Sequence, residues 1–189
     1  MQISYTDSQI RNYFIDIKSD RENVKKYNES HLLKKKVGNI SEEATESLAY
    51  NLIVNGIILK EAFEKTGIYS IKRKGKKGKD ILVNDFFTVE VKGTSSKSGF
   101  ITTSKSNFKS SAWIWFDIKP FFENQQNIVV YVIKNPKCLN PYKIEANGES
   151  KFSLKKAKEI AKNNNCLEEV VLDFNTFGVK TKKENSFFS

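Results

Sequence analysis

Two carboxylates and a lysine in one short stretch carry the clearest chemical signal in the chain. Asp80 precedes the apolar run Ile-Leu-Val, and Glu90 and Lys92 lie in the next apolar run. Neighbouring carboxylates repel each other unless a cation lies between them, and Mg²⁺ prefers such oxygen ligands. A metal held there can polarise a phosphoryl oxygen and activate water, while a lysine neutralises developing charge. We therefore predict a phosphodiester-hydrolysing centre in which Asp80 and Glu90 bind Mg²⁺, with Mn²⁺ as an acceptable substitute.

This chemistry requires a hairpin whose register brings the three side chains together. A two-residue turn at 84–85 would mix apolar and polar side chains on each face and would separate Asp80 from Glu90. A three-residue turn at 84–86 opposes Asp80 to Glu90, and opposed residues point to the same face. The apolar side chains then share the other face: Ile81, Val83, Phe87, Val89 and Val91. The pattern therefore predicts the three-residue turn.

The arrangement resembles the PD-(D/E)XK nuclease superfamily, which includes many type II restriction endonucleases, Mrr-like enzymes and Holliday junction resolvases. Asp80 matches the acid that heads one hairpin strand of that family, and Glu90-Val91-Lys92 matches the (D/E)-x-K of the next. Lys79 stands where the family has proline. The resemblance covers residues 40–118 and implies a restriction-endonuclease-like fold with catalytic roles for Asp80, Glu90 and Lys92.

Many members of the family also carry a glutamate on the preceding core helix, often as E-x-x-A. Glu46 fits this spacing, in a helix that we expect to begin at Ser41 as N-cap. The apolar face of this helix consists of Ala44, Leu48, Ala49, Leu52 and Ile53. Glu46 flanks that face, Glu42 lies one turn earlier, and Glu43 is predicted to point away. The resemblance therefore gives the catalytic helix role to Glu46, with Glu42 as the alternative.

The (D/E)-x-K pattern also occurs by chance in a lysine-rich chain. It begins at Asp16, Asp117 and Glu149 as well as at Glu90. Asp117 is the main rival because it ends an apolar strand, but no acid-headed hairpin precedes it. A solvated hairpin face with a cross-strand ion pair is the plain structural interpretation of the favoured trio. The context of the hairpin favours Glu90.

The charge of the chain suggests a polyanionic partner. The formal net charge is +10, with 32 Lys+Arg against 22 Asp+Glu, although an AT-rich genome would also raise the lysine content. We expect double-stranded DNA, with RNA and branched DNA left open, and a homodimer because cutting a duplex takes two active sites. Loops beside the hairpin supply the candidate nucleic-acid contacts: Lys72, Arg73, Lys74, Lys76, Lys77, Ser95, Ser96 and Lys97.

Composition excludes several other classes of enzyme. His31 is the only histidine, which argues against HNH nucleases and His-based zinc hydrolases. Cys138 and Cys166 are interpreted as two isolated reduced thiols. The N-terminal residues show no signal-peptide pattern, and no apolar run reaches membrane-spanning length, so we expect a cytoplasmic protein.

The elements that must position the site predict one α/β domain at 1–180, with a central mixed β-sheet flanked by helices. The catalytic core is expected at about 40–135, with a loose tail at 181–189. Besides the hairpin, strands are predicted at 67–73, 100–103, 112–118, 127–134 and 169–174, and a late helix at 151–162. Trp113 and Trp115 are expected in the core. The function expected is a Mg²⁺-dependent DNA endonuclease of restriction type. A non-catalytic nucleic-acid-binding module with a nuclease-like fold and a repair or junction-resolving nuclease are the alternatives.

Overall fold

The computed structural model describes residues 5–27, 31–73, 80–94, 100–123, 125–139 and 149–180. The helices are α1 (Asp7–Tyr27), α2 (His31–Val54), α3 (Lys60–Phe63), α4 (Lys119–Phe122) and α5 (Leu154–Asn163). The strands are β1 (Ile71–Arg73), β2 (Ile81–Val83), β3 (Phe87–Thr94), β4 (Phe100–Ser104), β5 (Ala112–Asp117), β6 (Asn127–Ile133), β7 (Glu149–Ser153) and β8 (Leu167–Asp173). Two 3₁₀ turns, Lys105–Lys109 and Pro136–Leu139, complete the described elements. The predicted tail at 181–189 lies outside the described residues.

A six-stranded sheet in the order β1-β2-β3-β5-β6-β8 forms the centre of the fold. β3 and β5 run parallel, and the other neighbouring strands in this sheet run antiparallel. β4 and β7 pair separately in a small antiparallel sheet. The predicted α/β class, with a mixed central sheet flanked by helices, is therefore confirmed. β7 was not predicted, and because it occupies 149–153, the late helix begins at Leu154 rather than at 151.

The hairpin has the register that its apolar pattern predicts. Ile81 pairs with Val89 and Val83 with Phe87, which confirms the three-residue turn at 84–86. Asn84 and Asp85 at the turn have φ values of 52° and 61°, a left-handed conformation that asparagine and aspartate tolerate better than most residues. Asn84 and Asp85 are therefore residues that suit the backbone of this turn.

The sheet is covered on both faces by separate apolar clusters. The first cluster joins α1 and α2 to alternating strand residues such as Val89, Ile114 and Val130. The second joins α5 and the 3₁₀ turns to Trp113, Trp115 and Tyr131. Both tryptophans are 0% exposed, so their predicted place in the core is confirmed. Alternation along each strand therefore divides its side chains between two buried layers.

Helix α2 begins at His31, so the prediction of a start at Ser41 is wrong. Leu32 to Lys36 favour helix, and the helix that they begin continues through Ser41. At its middle α2 lies against β3, where a Cβ on Gly93 would come within 3.2 Å of Cγ2 of Thr45. Glycine at this position lets the helix approach the strand closely.

Among the described residues, no helix combines the length and the apolar character needed to cross a membrane.

Candidate active site

A cleft of about 410 Å³ lies between α2 and the β2–β3 hairpin. Its lining consists of Glu42, Thr45, Glu46, Asp80, Val91, Lys92 and Gly93. Three of the four predicted catalytic residues, Asp80, Lys92 and Glu46, therefore meet at one cavity. The fourth, Glu90, does not line it.

Asp80 lies immediately before β2, at the point where β3 continues beyond its partner strand. Its Oδ2 accepts a hydrogen bond of 2.6 Å from the backbone N–H of Val91. The carboxylate thus accepts the N–H that a backbone carbonyl would accept if the pairing of β2 with β3 continued. This bond holds the half-buried carboxylate at the end of the hairpin, beside the cleft.

Glu46 reaches the cleft from α2 and shares a guanidinium with its neighbour Glu43. Arg73 Nη2 lies 3.0 Å from a carboxylate oxygen of each, and its Nη1 donates to Ser47 Oγ at 3.1 Å. The side chains of Arg73 and Glu46 are only 14% and 10% exposed. The prediction that Glu43 points away is wrong, because the end of β1 brings Arg73 between the two acids.

Burial raises the pKa of the Glu46 carboxyl above its ordinary value, and the negative charge of Asp80 adds to this rise. The hydrogen bond and charge of Arg73 act in the opposite direction without cancelling it. A cation bound in the cleft would relieve the repulsion that Asp80 exerts on the Glu46 carboxylate.

Glu90 lies on the other side of the sheet, on the face of Trp113, with which it is in register. It is 4% exposed, contacts Lys92 Nζ through Oε1, and accepts a hydrogen bond of 2.5 Å from Asn107 Nδ2. The Asn107 carbonyl in turn accepts the indole N–H of Trp113 at 2.8 Å. Lys92 is among the residues that line the cleft, and its ammonium contacts Glu90.

Asn107 and the inward role of Arg73 are the parts of the site that sequence reasoning missed. Asparagine is abundant in this chain, so residue type gave no signal for Asn107. Arg73 was expected to contact nucleic acid and instead lies between two glutamates. Its position at a strand end facing an acidic helix turn was the available clue.

The remaining predicted nucleic-acid contacts are largely beyond what the structure describes. Lys72 is exposed and pairs with Asp85 at 2.9 Å on the outer side of the hairpin. The other candidates lie outside the described residues: Lys74, Lys76, Lys77, Ser95, Ser96 and Lys97.

Asp117, the alternative acid of a (D/E)-x-K pattern, is hydrogen-bonded to the backbone two residues later. Its Oδ1 accepts the backbone N–H of Lys119 at 3.2 Å, at the start of α4. Burial raises its pKa. This half-buried acid does not line the cleft described above, so the structure gives it no share in that site.

The donor set of the cleft fits a hard divalent cation in chemistry. The ionisable acids lining it are Glu42, Glu46 and Asp80, all oxygen donors, which Mg²⁺ accepts together with waters. Within the described ranges, no group of three or more His, Cys, Asp or Glu side chains is already gathered as a metal site. Asp80 and Glu46 are therefore the residues that would hold such an ion, with Glu42 at the rim, whereas the predicted second ligand, Glu90, does not line the cleft.

The raised pKa of Glu46 predicts a pH-dependent difference between the wild type and Glu46→Gln. A raised folded-state pKa contributes stability below the ordinary value of 4.5, and that contribution is lost as the pH rises through the folded-state pKa. Glutamine does not titrate. The unfolding free energy of Glu46→Gln should therefore rise relative to wild type as the pH increases above the ordinary value of 4.5.

Urea unfolding of both proteins at several pH values measures this difference, with the exposed Glu64→Gln as the matched control. Parallel pH curves for wild type and Glu46→Gln would contradict the burial of an ionising carboxyl at this position.

Comparison of the chain with known proteins gives no match to a protein-family model, to a curated protein or to a solved structure.

Proposed function

We propose that the chain is a Mg²⁺-dependent endonuclease of restriction type, with a restriction-endonuclease-like fold, that hydrolyses phosphodiester bonds of DNA in the cytoplasm. The observation that carries the proposal is the meeting of Asp80, Lys92 and Glu46 at one cleft. These residues come from a hairpin and from the helix before it, as the resemblance to the PD-(D/E)XK superfamily implies. The three-residue turn of the hairpin is present, and it leaves Asp80 beside the cleft and Glu90 on the other face of the sheet.

Asp80 and Glu46 would hold the metal, and their mutual repulsion supports a cationic ligand between them. Bound Mg²⁺ would supply Lewis acidity toward a phosphoryl oxygen and a more acidic water. Lys92 lines the cleft and would neutralise charge that develops on the phosphate. Glu90 and Asn107 would position Lys92. Glu90 contacts the ammonium, and Asn107 donates a hydrogen bond to Glu90.

The net charge of +10 and the exposed Lys72 beside the hairpin support a polyanionic substrate. Double-stranded DNA is the substrate we propose, cut by a homodimer that presents one cleft to each strand.

Plasmid cleavage is the direct test of the proposal. Wild-type protein should nick or linearise plasmid DNA with Mg²⁺ or Mn²⁺ and should not do so in EDTA. Lys92→Ala should slow cleavage by about 100-fold, because it removes the ammonium that would neutralise charge on the phosphate. Lys92→Met, which keeps the aliphatic length, should be equally slow. The exposed Lys162→Ala on α5 should cleave like wild type.

Wild type and variants are purified through identical columns, so a contaminating nuclease would be present in every sample. Metal-dependent cleavage that is equal in wild type and in both Lys92 variants would overturn the assignment. A panel of linear, nicked and four-way-junction DNA would reveal a repair or junction-resolving nuclease through faster cleavage of the branched substrate.

A second candidate function, a non-catalytic nucleic-acid-binding module, is favoured by a specific observation. Glu90 contacts Lys92 and accepts a hydrogen bond from Asn107, and Glu46 pairs with Arg73, so protein groups already partner both acids. Such a module would bind DNA in a salt-sensitive way, would keep that binding in Lys92→Met, and would show no cleavage with Mg²⁺ or Mn²⁺.

A further inference from the structure

The two cysteines of the chain are distant in sequence but adjacent in the fold. Cys138 lies in the 3₁₀ turn Pro136–Leu139, and Cys166 directly precedes β8. Their Sγ atoms are 3.1 Å apart, and both are free thiols. From the sequence we expected two isolated reduced thiols. The structure makes them a pair.

Backbone hydrogen bonds fix both cysteines independently of their side chains. The N–H of Cys166 donates to the Ala161 carbonyl at 2.9 Å, and its carbonyl accepts from Lys134 at 2.8 Å. The N–H of Cys138 donates to the Asn135 carbonyl at 3.0 Å. The packing of the 3₁₀ turn and α5 on the sheet therefore determines the separation of the two sulfur atoms.

We propose that Cys138 and Cys166 form a dithiol site that low-molecular-weight disulfides, such as oxidised glutathione, convert to an intramolecular disulfide. A disulfide bond is about 2.05 Å long, so the sulfur atoms need to approach by only about 1 Å. This proposal is independent of the nuclease assignment.

Accessibility sets the order of the two exchange steps. Cys138 is half-buried and can be reached from solvent, whereas Cys166 is only 7% exposed. The Cys138 thiolate attacks one sulfur of the oxidised glutathione, forming a mixed disulfide and releasing one glutathione thiolate. The Cys166 thiolate then attacks Cys138 Sγ and releases the second.

The reaction balances as a two-electron oxidation. The protein loses two thiol protons and two electrons and gains one S–S bond, while the reagent's disulfide becomes two thiols. Burial, with the neighbouring Cys166 as a further cause, raises the pKa of Cys138 to about 12. Few thiolates are therefore present at neutral pH, so the first step is slow and the closeness of the second thiol drives the closure.

The bridge would link the 3₁₀ turn to the start of β8, on the sheet face that also carries Trp113. The two cysteines are 28 positions apart in the sequence, and the loop that the bridge closes includes α5. Cross-linking a loop of this size lowers the entropy of the unfolded chain, which should raise Tm by roughly 5–10 °C.

The test treats purified wild-type protein with oxidised glutathione and measures its intact mass, its free thiols and its Tm. We expect the mass to fall by two hydrogens, both thiols to disappear and Tm to rise, with each change reversed by dithiothreitol. Peptide mapping should show Cys138 joined to Cys166. Cys166→Ser should instead retain one glutathione on Cys138.

Two outcomes would overturn the proposal. One is wild-type protein that keeps both thiols under conditions that oxidise a reference dithiol. The other is wild-type protein that accumulates the glutathione adduct without internal closure. Both readouts come from the wild-type chain, so they do not depend on the folding of a variant.

Discussion

Asp80→Asn is expected to lower Mg²⁺-dependent DNA cleavage by about 100-fold or more while leaving the fold intact. Asparagine has nearly the same shape, and its amide oxygen can still accept the hydrogen bond of the Val91 N–H. What it removes is the negative charge of Asp80, one of the three acids that line the cleft. A loss of activity without a loss of structure would therefore identify the charge of Asp80 as the catalytic requirement.

Asp80→Asn, which should lower cleavage, should not lower the stability of the fold. Asp80 raises the pKa of Glu46, so removing its charge should move the Glu46 pKa back toward the ordinary value. At neutral pH the folded variant then carries less repulsion between acids. We expect the unfolding midpoint of Asp80→Asn to equal or exceed that of wild type in the absence of metal.

Initial cleavage rates and thermal unfolding, each with and without Mg²⁺, measure both effects. Mg²⁺ should raise the Tm of wild type and should have a smaller effect on Asp80→Asn, because one ligand charge is gone. The exposed Glu64→Gln is the matched acid control and should behave as wild type. Wild-type cleavage rates in Asp80→Asn would remove Asp80 from the catalytic machinery.

Asn84→Ala should lower the free energy of unfolding by about 3 kcal/mol, because it removes three hydrogen bonds of a buried side chain. Its Oδ1 accepts the N–H groups of Tyr69 and Ser70 at 2.9 and 3.2 Å. Its Nδ2 donates to the Gly67 carbonyl at 2.7 Å. The side chain thus ties the segment before β1 to the tip of the hairpin that carries Asp80.

Two further variants separate hydrogen bonding from backbone conformation. Asn84→Gly loses the same bonds but tolerates the φ of 52°, so it should be less destabilised than Asn84→Ala by about 1 kcal/mol. Asp85→Gly, at the adjacent exposed turn position with φ 61°, should unfold close to wild type. Urea unfolding of the three variants makes the comparison. Equal stability of Asn84→Ala and wild type would show that the side-chain bonds contribute nothing.

The backbone of the hairpin could be predicted from sequence because a strand has a period of two. Only the three-residue turn puts the apolar residues on one face, and burial of that face selects the register. The burial of Trp113 and Trp115 followed for the same reason, since a continuous apolar strand must be covered on both faces.

Side-chain direction at the strand end could not be predicted in this way. Asp80 precedes β2, outside the regular pleat, and turns to accept the Val91 N–H beside α2. Glu90 remains within the pleat and lies beneath the sheet with Asn107. The register brings the backbones of Asp80 and Glu90 opposite each other. Their side chains nevertheless leave the hairpin on different sides, so only the Asp80 carboxylate lies at the cleft.

By itself, the sequence determined the mixed α/β class, the register of the hairpin and the choice of Asp80, Glu46 and Lys92, which line one cleft. The class, the register and the choice of Asp80 and Lys92 follow from local periodicity and residue type, and the choice of Glu46 follows from the resemblance to the PD-(D/E)XK superfamily. The tertiary structure alone decided which partners those residues meet. Arg73 lies between Glu43 and Glu46, Asn107 supports Glu90, and Cys138 meets Cys166. Each of these contacts joins segments that are distant along the chain, and only the packing of helices and loops on the sheet sets the distance between them.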